Sequence, residues 1–110
     1  MANTYKFTGV TIATTDTTAI LTAGTAETII LKSLLVSAKG SYTPTVTLSV
    51  TDDSASATYV IADTVAMTAN DSEQILTQPQ VLEGGDILKI ASSTSDSLDI
   101  GMSYLVLTRT

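Results

Sequence analysis

The chain has 110 residues, the length of a single domain, with 11 acidic residues against 5 basic ones and a formal charge of −6. Charged residues make up only 15%, below the roughly 25% of an average soluble domain, and Thr and Ser, about three residues in ten, supply the missing polarity. Cys, His and Trp are absent, which excludes thiol chemistry, zinc sites of the usual kind and Ser-His-Asp or Cys-His catalysis.

In chain order, residues 1–13 read as an N-terminal strand or arm, with the strand pattern running from Tyr5 to Ile12. Residues 14–110 read as the body of one β-sandwich domain, and Thr14 to Thr18 is the loop between the two. Thr18 to Thr22 is a short strand, and Ile29 to Val36 is apolar on both faces. Such a strand is covered on both sides, or has an outer face that meets a partner. After the turn formers Lys39-Gly40-Ser41 and Pro44, the residues Val46, Leu48 and Val50 alternate with Thr and Ser, the period of two of a half-buried antiparallel strand. Ser56 to Ala62, Glu73 to Thr77 and Asp86 to Ala91 are further strands. The turns Thr51 to Ser54, Ala69 to Ser72, Glu83-Gly84-Gly85-Asp86 and Ser92 to Ser97 separate them. In the closing strand Leu98, Ile100, Met102, Tyr104 and Val106 fall on one face, and the other turns apolar at Leu105 and Leu107.

No window carries a helical stripe, and β-branched residues dominate. Eight to nine short strands, about ten residues apart, predict an all-β, two-layer antiparallel β-sandwich, either jelly-roll-like or immunoglobulin-like. Val46, Leu48, Val50, Leu88, Ile90, Leu98, Ile100, Met102 and Tyr104 are expected inward, Tyr59 in or beside the core, and Tyr42 capping a loop.

Without His, paired carboxylates are the remaining acid-base candidates: Asp52/Asp53, Asp71/Glu73, Glu83/Asp86 and Asp96/Asp99. All fall in or beside turns, where acids cap backbone groups and face water, so no enzyme activity, catalytic residue or cofactor is expected. Loop carboxylates also suit calcium, but no segment has an EF-hand pattern, and no metal site is assigned. Gly84-Gly85 lies between acids with no helix following, which points to a tight turn and not a phosphate cradle. With pI ≈ 4.1 and one arginine, Arg109, no nucleic-acid partner is expected. The longest apolar runs, Ile29-Ile30-Leu31 and Leu34-Leu35-Val36, are far short of a span, so no membrane partner is expected. No secretory signal is expected either.

The surface is the informative part. The chain is 44% hydrophobic with a mean hydropathy of +0.32 and has four lysines, so strand edges are sparsely guarded and part of the surface is expected to be buried in an assembly. Tyr5, Phe7, Val10 and Ile12 of the N-terminal segment are an ordinary first strand or the candidate contacts with a neighbouring subunit or partner.

The order of segments resembles small β-sandwich virion structural proteins of tailed bacteriophages, over about residues 18–107. The resemblance rests on the long strand Glu27–Ser37, the Val-Thr strand Thr45–Thr51, Ala57–Ala62 and Val65–Ser72. It continues in Pro79-Gln-Val-Leu-Glu-Gly-Gly-Asp-Ile-Leu-Lys-Ile90 and the closing Leu98–Leu105. Thr22-Ala-Gly-Thr-Ala26 departs from it, standing where a Pro-Gly turn is expected, and the acidic charge is higher than usual. The resemblance implies a capsid decoration (cement) protein on the outer surface of the virion, made in the host cytoplasm. It also implies a homo-oligomer, a trimer by preference, whose partner is the major capsid protein. A tail, vertex or fibre adaptor module is the alternative within the virion. A carbohydrate- or cell-surface-binding module is the alternative of a different class.

Overall fold

The computed structural model describes residues 2–76 and 78–108. Among the described residues nine strands follow one another: β1 (Ala2–Ile12), β2 (Thr18–Thr22), β3 (Glu27–Ala38), β4 (Thr45–Asp52), β5 (Ala57–Ala66), β6 (Ser72–Gln74), β7 (Gln80–Leu82), β8 (Ile87–Ser92) and β9 (Leu98–Thr108). Thr77, placed at the end of an expected strand, lies outside the described residues.

The strands form two antiparallel sheets. Sheet A has the order β1-β9-β3-β6, with β7 also pairing β3, and sheet B has the order β2-β8-β4-β5. Both β6 and β7 run antiparallel to β3, at Leu35–Ser37 and Ile29–Leu31, so they are two pieces of one edge strand. The interruption lies opposite the bulge of β3 between Leu31 and Ser33, and Pro79, which has no N–H to donate, precedes the second piece. With these pieces counted as one strand, the interleaved order is that of a jelly roll. In an immunoglobulin-like sandwich the first two strands share a sheet; here β1 and β2 lie in different sheets.

Alternation builds the core. Leu31, Leu34, Leu48, Leu88, Ile100 and Met102 are fully buried between the sheets. Of the positions expected inward, Val46, Ile90, Leu98 and Tyr104 are also buried. Val50 also faces inward, opposite buried Leu88, and packs against the core, but it is only half-buried near the end of β4, two residues before Asp52. Tyr59, its partner in β5, is a correction: expected in or beside the core, it is 55% exposed on the edge strand at that same end. The long two-faced strand β3 keeps its core face inward across the bulge, so burial runs Ile29, Leu31, Leu34, Val36.

Two turns tie distant parts of the sandwich together. At the Glu83–Asp86 turn, the Gly85 N–H donates to the Ala23 carbonyl at 2.9 Å. Gly85 has φ of +91°, and a side chain on Gly84 would lie 2.6 Å from the Thr25 carbonyl oxygen, so both glycines are required by this packing. Tyr42 ties two loops as expected. Its hydroxyl accepts the Lys39 N–H at 3.1 Å and donates to the Ser97 carbonyl.

Candidate functional site

The turn carboxylates are the groups with acid-base capacity, and Asp52, Asp71 and Asp96 hold their own turns. Asp52 accepts the Ser54 N–H and hydroxyl at 3.1 and 2.8 Å, closing its own turn. Asp71 accepts the Ser72 N–H, and Asp96 the Thr94 hydroxyl. Asp86 departs from the expectation of solvated turns. It is only 6% exposed, and its two oxygens accept the Asp53 N–H at 3.0 Å and the Glu83 N–H at 2.9 Å. Its work is to join the β4–β5 turn to the glycine turn before β8. Among the described residues, no three His, Cys, Asp or Glu side chains gather as metal ligands.

The distinctive surface is the outer face of sheet A. Residues directly opposite one another in a sheet share a face, and the register runs Tyr5–Leu105–Ile30–Val81 across β1, β9, β3 and β7. Four apolar side chains therefore stand abreast on a face that no other element of the described chain covers. Tyr5 and Val81 are exposed, and Leu105 and Ile30 are half-buried. The Lys32 ammonium sits 5.6 Å from the centre of the Tyr5 ring, a cation–π contact that holds the ring against the sheet.

Further along, the rows become small: Phe7–Ser103–Ser33, then Gly9–Gly101–Leu35. With no side chains on the paired glycines, a shallow trough of about 480 Å³ opens there, walled by Phe7 and Leu35. A methyl group on Gly101 would come within 3.1 Å of the Phe7 ring, so the ring lies down over the glycines. The trough ends in a polar corner. Thr11 donates its hydroxyl to Asp99 at 2.7 Å, and Lys39 pairs with the same carboxylate at 3.2 Å. The Thr11 hydroxyl, then the Lys39 ammonium, hold the Asp99 carboxyl below its ordinary value, against a small opposing effect of burial.

The four residues singled out at the N-terminus separate here. Residues 2–12 form an edge strand paired along its whole length with β9. Ile12 is buried in the core, out of reach of a partner, and Val10 is half-buried against it at the side of the trough. Tyr5 and Phe7, 73% and 70% exposed, stand on the outer face. Leu35 and Val81 complete the patch. The two-faced pattern of residues 29–36 pointed to Leu35, whereas Val81 sits in a three-residue strand that alternation does not reveal. The chain matches no protein-family model, no curated protein and no solved structure with which it was compared.

Proposed function

We propose that this protein is a bacteriophage virion structural protein, a capsid decoration (cement) protein that binds the outside of the shell and stabilises it. The observation that carries the reading is the apolar row Tyr5–Leu105–Ile30–Val81, uncovered on the outer face of sheet A. Apolar surface removed from water stabilises a contact by roughly 25 cal/mol per Å², so a flat apolar sheet face is suited to lying on another protein. In this reading the partner is the major capsid protein, at a place where its subunits meet. A bound protein that touches several neighbours stabilises all of them by mass action and multivalency. The formal charge of −6 suits the outside of the particle, away from packaged DNA. Asp52, Asp71, Asp86, Asp96 and Asp99 serve turns and strand ends, which fits a mechanical role.

The test is the number of copies per particle, counted by quantitative mass spectrometry, with binding of the purified protein to emptied capsids. Hundreds of copies and saturable binding are expected. A dozen copies or fewer would make the protein a tail, vertex or fibre adaptor module instead.

A further inference from the structure

A sandwich of two open sheets has four edges, and three of them here are blunted. The β2 edge is five residues long and has a register shift between Ala19 and Leu21. The β5 edge has shifts on both sides of Leu48 in its pairing with β4, and Thr64 has φ of 49°. The β6/β7 edge is two three-residue pieces interrupted near Pro79. These are the ordinary devices that stop a sheet edge from recruiting another strand. The β1 edge has no such irregularity, and the charge of Lys6 is its one guard. It pairs with β9 without a register shift from Ala2 to Ile12, contains no proline, and carries one charge, Lys6.

We infer that β1 is a self-association edge, and that two copies of this chain join by antiparallel β1–β1 pairing about a twofold axis, making sheet A continuous across the dimer. Such an interface is self-complementary, because the same strand serves both sides. Charge favours a second copy as the occupant. The chain is acidic overall, but its first acidic residue is Asp16, so β1 edges meet without opposed carboxylates. Thr4 and Lys6 are exposed although they point to the inner side of the sheet, so sheet B leaves room beside the edge.

The register is set by the strand itself. Pairing all of residues 2–12 puts Phe7 on the axis, facing Phe7 of the second copy. Tyr5 then lies opposite Gly9, a large side chain against none, and Lys6 opposite Thr8. Centring on Lys6 would place two ammonium groups face to face, which is unfavourable. The inference is independent of the capsid reading, and it replaces the trimer that the resemblance implies with a dimer.

Sedimentation equilibrium of the purified chain at micromolar concentrations should give twice the 11.4 kDa monomer mass. Phe7→Asp should keep the β spectrum and weaken association by roughly a hundredfold at low salt, less at high salt, since two carboxylates then face each other. Register is read separately by single cysteines in this cysteine-free chain. Under mild oxidation Phe7→Cys should cross-link to dimer about tenfold faster than Lys6→Cys or Thr8→Cys, because position 7 alone faces itself. Should Phe7→Asp fail to fold, the cysteine series decides. A monomer throughout, a trimer mass, or equal cross-linking at all three positions would overturn the inference.

Discussion

Leu34 and Leu35 are the same residue type on consecutive positions of β3, yet one is 0% exposed and the other 43%. The difference runs through the whole of sheet A. Its inner face is closed by sheet B, with Leu34, Ile100 and Met102 packed out of water. Its outer face carries Tyr5, Phe7, Leu35 and Val81, all exposed. A sheet that needed only to fold would place Thr or a charge at these outer positions, as β4 does with Thr45 and Thr47. The inner face accounts for stability, and the outer face is surplus to it, which is why function is sought there.

The largest contrast should come from that leucine pair. Leu34→Ala is expected to cost about 2–5 kcal/mol, the usual result of opening a core cavity. Leu35→Ala should stay within about 0.5 kcal/mol, both measured by urea denaturation. Similar costs at the two positions would mean that the outer face also contributes to folding. Asp86 is next in size. Asp86→Ala leaves two part-buried N–H groups, of Asp53 and Glu83, without their acceptor, and should cost about 1–3 kcal/mol. Asp52→Asn, in an exposed turn, should change stability by no more than about 0.5 kcal/mol. Smaller than the Asp86 effect is that of Tyr104→Phe, which removes the 2.6 Å hydroxyl contact with Thr8 across β9 and β1 and should cost about 1 kcal/mol.

The smallest effect is electrostatic and belongs to the outer face. The Asp99 carboxyl titrates below its ordinary 3.8 in the folded chain. Its contribution is therefore present above that value and is lost as pH falls through the lower, folded one. Thr11→Val should move the Asp99 titration upward in a carboxyl NMR series, with little change in stability because the group is half exposed. No movement would mean that Lys39 alone sets it. Chelation with EDTA should leave the melting temperature unchanged; a fall of many degrees would bring back a structural calcium.

Much of the inner face was legible because a period of two is unambiguous where the strand is regular. Val46 and Leu48, or Leu98 through Tyr104, needed no tertiary information. The pattern failed where the strand is irregular or short. Register shifts around Leu48 interrupt the alternation of β5, and Tyr59, beyond them on the edge strand, stands exposed at the end of the sandwich. The three residues of β7 hold one exposed and one buried apolar side chain, too few to show a period. Asp86 resembled every other turn acid, because its turn packs against the Asp53 turn, far away in sequence. The Gly9–Gly101 pair that floors the trough is similarly non-local, created by the pairing of the first strand with the last. The N-terminal segment showed as apolar, but only its pairing with β9 separates exposed Tyr5 and Phe7 from inward Val10 and Ile12.

The central claim is that the protein works through the outer face of sheet A, and co-sedimentation with emptied capsids tests it most directly. Wild-type protein and Leu35→Glu, first shown to share the same melting temperature, are titrated against a fixed amount of shell. The account predicts saturable binding of the wild type and a loss of at least about tenfold in affinity for the variant, since a charge would be buried without a partner. Equal binding by the two proteins, or no binding by the wild type, would contradict it.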